Sequence, residues 1–190
     1  MLNELNKILQ LDREKDSIAI VGNAKSLFGK GLGEEIDRHT FVMRLNYGAI
    51  LDEVQQGSRT DLYGCSDDKL TLSWIEEKFR PKLVIWLTNK LVPGHFFGHS
   101  EINYIINKQE YWEIAYNYVQ PFRPSSGAIA VVLLREVYGI KNIHLYGFDF
   151  FSSPTFYHKK KWHFWKKRKP VPHNGNLELE MMKKLGVTIH

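Results

Sequence analysis

One cysteine, seven prolines and no long apolar run set the first limits on this chain of 190 residues. A lone Cys65 supports no internal disulfide and points to a reducing compartment. It is read as a buried or idle thiol rather than a nucleophile. The 14 glycines show no collagen period, and the prolines are too few for low-complexity disorder. No stretch of about 18 apolar residues occurs, so no membrane span is expected. The opening segment MLNELNKILQLDREKD has no basic region followed by an apolar core, so no secretory leader is expected. What remains is ordinary globular material, 43% hydrophobic and 25% charged. Its length predicts a single domain over residues 1–190 with a sizeable core.

The net charge of +5 is local. Residues 158–169 read HKKKWHFWKKRK and hold seven Lys or Arg with no acid; outside them 19 basic residues face 21 acidic ones. One basic stripe on a near-neutral protein attracts phosphate-bearing partners, among them an anionic membrane surface. The bland alternative is a solubilising loop, against which the interleaved Trp162, Phe164 and Trp165 weigh. RNA-recognition signatures such as RNP motifs are missing, so no nucleic-acid partner is expected.

Apolar spacing predicts an amphipathic helix over residues 2–13. Short strands are predicted at 17–21, 40–45, 60–63, 82–87, 142–146 and 187–189. Helices are predicted from Asp67-Asp68 to Phe79, over 100–113, from Ala128 to Gly139 and over 175–185. Strands alternating with helices give an α/β fold, a single Rossmann-like, mainly parallel sheet with helices on both faces. In such sheets ligands bind beyond the carboxyl ends of the strands, which directs attention to the loops after Val21, Leu45, Val119 and Tyr146.

Four groups of residues in those regions carry chemistry. Gly22–Gly31, GNAKSLFGKG, imitates a phosphate-binding P-loop but has the wrong glycine spacing and no Ser or Thr for magnesium. The Gly22-Asn23 turn can hold a phosphate through its amides and the Asn23 side chain, or Asn23 simply occupies a left-handed turn position. Pro124-Ser125-Ser126-Gly127 before an apolar helix is either a simple N-cap or a pair of hydroxyls with a closely approachable glycine, suited to a carboxylate or ribose. His163 in the stripe and His173, five residues before Glu178, are candidate acid–base groups near neutral pH. His158, His163 and His173 fit no common zinc spacing. D-x-D, the metal anchor of many nucleotide-sugar enzymes, does not occur. No metal site is therefore expected.

Taken in order, these segments resemble the sialyltransferases of glycosyltransferase family 29, with their L, S, III and VS motifs. The L-motif resemblance runs from Ile20-Val21-Gly22-Asn23 through Ile36-Asp37-Arg38-His39 and Phe41–Asn46 to Gly57-Ser58-Arg59-Thr60. The S motif is matched by Pro124–Ala128 and Leu145–Phe148, motif III by Trp162-His163-Phe164-Trp165, and motif VS by His173 with Glu178. Residues 64–118 carry no such resemblance. The chain also departs from the animal enzymes, because the regions joined there by a disulfide contain no cysteine here, and Ala24-Lys25 replace small polar residues.

The resemblance implies a variant nucleotide-sugar glycosyltransferase fold and an inverting, metal-independent transfer of sialic acid from CMP-sialic acid to a glycan hydroxyl, with no cofactor. It implies that Gly22, Asn23, Asn46, Ser125, Ser126 and Gly127 line the donor site. His163 would support the leaving phosphate, His173 would act as the base, and Glu178 would fix the local structure around it. Two alternatives stand beside it: a CMP-Kdo-dependent transferase acting on a lipopolysaccharide or capsule glycan, and a non-catalytic nucleotide or nucleic-acid binding module. The expected setting is the cytoplasm of a bacterium, with peripheral contact at the inner membrane through residues 158–169.

Overall fold

Short apolar runs with β-branched residues become strands here, and the central ones are buried on both faces. Ser17–Val21 forms β1, with Ile18 and Ile20 turned to one side of the sheet and Ala19 and Val21 to the other. Phe41–Leu45 (β2), Leu62–Cys65 (β3), Leu83–Trp86 (β4), Tyr104–Ile106 (β5), Asn142–Tyr146 (β6) and Thr188–Ile189 (β7) follow. The computed structural model describes residues 2–98, 100–153, 155–156 and 172–190.

The seven strands make one sheet in the order β5-β4-β3-β2-β1-β6-β7, with every pairing parallel. The chain moves outward from β1 to β5, then returns to lay β6 on the other side of β1. The order therefore reverses at β1, and the crevice beyond the strand ends near this reversal is where an open α/β sheet receives ligands.

Leu2–Leu9 (α1), Gln109–Val119 (α5), Ser126–Val132 (α6) and Gly175–Lys184 (α7) pack on the face that carries Ile18, Ile20, Met43 and Ile85. Gly33–Asp37 (α2) and Leu72–Phe79 (α4) cover the other face through Ile36 and Ile75. The short α3, Glu53–Gln56, lies beside α2. Helices thus flank both faces of the parallel sheet, as the alternating pattern predicts.

The strand predicted at 60–63 lies at Leu62–Cys65, the helix predicted from Ala128 to Gly139 starts at Ser126 and widens to a π-helix over Leu133–Val137, and three further boundaries differ from the sequence reading. The first helix stops at Leu9 because Gln10 turns to a φ of 51°. The helix predicted from Asp67-Asp68 begins instead after Thr71, whose hydroxyl accepts from Trp74 N at 3.2 Å. Residues 100–113 divide into edge strand β5, with only Ile105 buried, and the start of α5. The Ile-Ile pair is claimed by β4, where Ile85 pairs with Ile105: long-range pairing overrides a helical reading of a short apolar run. Cys65 is fully buried, 3.6 Å from the Ile85 carbonyl, and burial pushes its thiol well up; it is no nucleophile.

Candidate active site

A cleft of about 580 Å³ opens at the carboxyl ends of the strands. Asn46 follows β2 directly and adopts a left-handed φ of 50°, a conformation asparagine tolerates better than most residues. Its side chain bridges two elements. The amide nitrogen donates to Ser126 Oγ at 3.0 Å and the amide oxygen accepts from Ser66 N at 2.9 Å. Ser126 Oγ in turn donates to Ser66 Oγ at 2.9 Å. Together they form one polar surface in the cleft wall from residues after β2, after β3 and at the start of α6.

His173 lines the cleft with Arg123. Its Nδ1 lies 2.7 Å from the Arg123 carbonyl. A carbonyl only accepts, so Nδ1 carries the proton and Nε2 of the neutral ring is the basic nitrogen. The Pro172 carbonyl accepts from Arg123 N at 3.1 Å, so the two segments hold each other by reciprocal bonds. Arg123 also donates through Nη2 to Thr88 Oγ1 at 3.2 Å. Asp67, Asp68, Lys69 and Lys90 supply the other charged groups of the lining.

Behind this wall lies a supporting layer. Glu178, 3% exposed, accepts from Ser125 N at 2.9 Å and from Ser125 Oγ at 2.7 Å. Ser125 Oγ also accepts from Ala128 N at 3.1 Å and so caps α6. Burial raises the Glu178 carboxyl, while the two Ser125 bonds and the nearby His173 pull it down. Asn174 caps α7, accepting from Asn176 N and Leu177 N. One clamp therefore fixes the starts of α6 and α7, and with them Ser126 and His173.

The sequence-predicted residues separate along this division. Asn46, Ser126 and His173 meet in the cleft lining; Ser125 and Glu178 stand behind it. Asn23 is not among the lining residues: its amide donates to the Leu45 carbonyl at 3.0 Å and braces the turn after β2. The space beside Gly127 is filled by the Phe148 ring, which a side chain there would overlap. Gly22 likewise lies against Phe148 and the Gly147 carbonyl. These two glycines let β1, β6 and α6 close up at the order reversal. His163 and the whole stripe from His158 to Lys169 lie outside the described residues. Among the described residues no group of three or more His, Cys, Asp or Glu is arranged to hold a metal ion.

Sequence reasoning missed Ser66, Thr88, Lys90 and Arg123. The first three follow β3 and β4, so the rule that points to the loops after β1 and β2 applies to them equally. After β6, the backbone is unusual. Phe150 and Phe151 both have positive φ, 54° and 70°, at a cost on the order of 1–3 kcal/mol each for bulky side chains. The Phe151 ring stacks on His173 with centroids 5.4 Å apart and an interplanar angle of 20°.

A second cavity of about 330 Å³ lies beside α2, lined by Glu35, His39, His144, Tyr146 and His190. Tyr146 OH donates to Glu35 Oε1 at 2.8 Å, and His39 Nε2 lies 2.9 Å from Tyr146 OH. His144 Nδ1 and His190 Nε2 are 3.0 Å apart. Burial, then the neighbouring His144 and His190, press the His39 imidazole down to about 4.

Residues 3–91 match the model of glycosyltransferase family 29 (sialyltransferase). The CMP-N-acetylneuraminate-beta-galactosamide-alpha-2,3-sialyltransferases 2 of Mus musculus and Rattus norvegicus are each 26% identical over 159 residues. Those alignments take in 74% of this chain, which spans only 45% of either relative's length. Among solved structures, a mammalian sialyltransferase superposes with a TM-score of 0.61 at 19% identity, covering 100% of this chain and 79% of that one. The sialyltransferase CstII from Campylobacter jejuni, in complex with cytidine-5′-monophosphate, gives a TM-score of 0.62 at 15% identity, covering 94% of this chain and 80% of that one. At those identities the structures speak for the fold. Over residues 3–91 the sequence is thus similar to the family 29 sialyltransferases, and the fold is shared with solved sialyltransferases over the chain's length.

Proposed function

We propose that this chain is an inverting sialyltransferase, moving sialic acid from CMP-sialic acid to a glycan hydroxyl. The observation that carries the reading is His173. Its Nδ1–H is committed to the Arg123 carbonyl, its Nε2 is left basic, and its ring lines the same cleft as the Asn46–Ser126–Ser66 surface. In the reaction the acceptor oxygen bonds to the anomeric carbon while the bond from that carbon to the CMP phosphate oxygen breaks. The acceptor proton passes to His173 Nε2, and the electron pair leaves with the phosphate. A base so placed contributes about two to four orders of magnitude. The departing charge requires fixed donors. The Asn46 amide and the Ser126 and Ser66 hydroxyls supply polar groups on the donor side, while Arg123 adds positive charge. The glycan acceptor is assigned to the part of the cleft bounded by Asp67, Asp68, Lys69 and Lys90.

The proposal includes metal independence, a role for His163 at the leaving phosphate, and peripheral contact of residues 158–169 with an anionic cytoplasmic membrane surface that presents a lipopolysaccharide-type acceptor. The test is CMP release by the purified full chain from CMP-sialic acid and, in parallel, CMP-Kdo, with and without soluble and lipid-linked glycans. Acceptor-dependent release from CMP-sialic acid is the expected result. Release from CMP-Kdo alone, or none from either sugar, would overturn the reading.

A further inference from the structure

Phe151 follows β6 in a turn that works against its own sequence. The Asp149 carbonyl accepts from Ser152 N at 3.1 Å and Asp149 Oδ2 accepts from Ser153 N at 2.9 Å. Phe150 and Phe151 occupy the two central positions, both at positive φ. Glycine and asparagine ordinarily fill such positions, because they reach this conformation with least steric cost. Two phenylalanines there need compensation from their surroundings. Phe150 obtains it from the core and from Gly175, whose missing side chain leaves room for the Phe150 carbonyl. Phe151 has no such burial, being 43% exposed. Its ring instead lies on His173, centroids 5.4 Å apart at 20°.

We infer that Phe151 is a positioning residue: its ring holds the His173 imidazole in the orientation that points Nε2 into the cleft. The bond from Nδ1 to the Arg123 carbonyl fixes one atom of the imidazole and leaves the ring free to swing about it. A stacked neighbour removes that swing. The left-handed turn is the device that brings an exposed aromatic to this place, and Gly175, the first residue of α7, lets the turn approach the helix that follows His173. The basic role of His173 rests on the transferase reading above; the stack does not.

The experiment compares wild type with Phe151→Ala, Phe151→Leu and Phe151→Tyr by two readouts. NMR of the imidazole protons, with His173 identified by its loss in His173→Ala, reports the stack without any reaction. The expected result is an upfield ring-current shift in wild type and Phe151→Tyr that is lost in Phe151→Ala and Phe151→Leu. Turnover of CMP-sialic acid should show kcat lowered about tenfold or more in Ala and Leu, as for a misplaced catalytic group, with the donor KM unchanged and kcat restored in Tyr. An unmoved His173 resonance in Phe151→Ala overturns the inference. So does a moved resonance with unchanged kcat, or a leucine variant that works as well as tyrosine. A moved resonance in a protein with no turnover on any CMP-sugar supports the stack and overturns the transferase reading instead.

Discussion

Replacing Glu178 by alanine removes the acceptor that serves both the Ser125 amide at 2.9 Å and the Ser125 hydroxyl at 2.7 Å. Each donor left unsatisfied in a half-buried place costs about 1–3 kcal/mol. Loss of both, eased by water entering the gap, gives about 3 kcal/mol. For a chain of this size that is a fall in Tm of about 6–12 °C. Ser125→Ala should cost about 2–3 kcal/mol, because it loses the cap on Ala128 N as well as its own bond to the carboxylate. The pair must be non-additive, since with the hydroxyl gone the carboxylate serves only the amide. The double variant should therefore lose about 1.5 kcal/mol less than the two single losses together. Thermal and urea unfolding of the four proteins closes the cycle. Additive losses, or a Glu178→Ala protein within about 2 °C of wild type, would refute the clamp between α6 and α7. Glu178→Gln adds a pH arm. Burial raises the Glu178 carboxyl above its ordinary 4.5, so the folded state holds this proton more tightly than the unfolded one. That contribution is present below about 4.5 and is lost as pH rises through the raised value. The stability advantage of wild type over Glu178→Gln should shrink as pH rises, and a constant difference would contradict a raised carboxyl.

His173→Ala should lower transfer by about two to four orders of magnitude while CMP binding stays within a few fold; near-normal turnover would remove His173 from the mechanism. Transfer should survive EDTA, and full loss restored by magnesium or manganese would contradict the metal-independent proposal. Asn46→Ala breaks the links to Ser66 and Ser126 and places alanine at a φ of 50°; CMP affinity by calorimetry should fall about tenfold, an effect of about 1.4 kcal/mol. His39, held down to about 4 by burial and by His144 and His190, resists a proton that the unfolded chain accepts near 6.5. Its contribution is present above about 6.5 and is lost as pH falls toward 4, so His39→Gln should flatten the acid side of the wild-type Tm profile, and parallel profiles would refute the assignment.

The frame was legible because its signals are local. Runs such as SIAIV and NIHLY can be read as buried strands from five residues, and the Gly22 and Gly147 turns mark where two of them end. The Ser125 cap and the His173-to-Glu178 interval are likewise short patterns. What a local pattern does not contain is which polar group faces which. Asn23 and Asn46 both follow strands and look equivalent in the sequence, yet one braces the Leu45 carbonyl and the other joins Ser66 to Ser126. Gly127 reads as an open approach for a ligand, whereas the Phe148 ring from 21 positions downstream fills that space. Thr71 displaced Asp67-Asp68 as a helix cap because Asp67 closes a turn of its own, accepting from Lys69 N and Leu70 N, and Leu70 is drawn into the core. The Phe150-Phe151 turn has no glycine or asparagine at its centre to announce it, and packing against Gly175 and His173 makes it tolerable.

The cleft draws on residues 46, 66, 88, 123, 126 and 173, and its two key contacts join positions 80 and 53 apart in the chain. Residues 46, 66 and 88 converge because the parallel strands present their following loops at one end, and the starts of α6 and α7 bring residues 126 and 173 to the same cleft. The order reversal at β1 then assigns the two sides of the cleft different constraints. On one side β1, β6 and α6 are locked together by Gly22, Gly127 and Phe148, and a change in any of them disturbs the sheet itself. On the other, the loops after β3 and β4 run outward toward edge strand β5 and carry the exposed Asp68, Lys69 and Lys90, which can change without touching the core. The proposed transfer would use that asymmetry, with the donor at the locked reversal and acceptor choice at the free loops. Exchanging residues 67–69 and 89–91, with Ser66 and Thr88 kept, should therefore alter which glycan is used and leave the binding of CMP as it was, whereas an exchange that abolishes CMP binding would show the two sides to be one site.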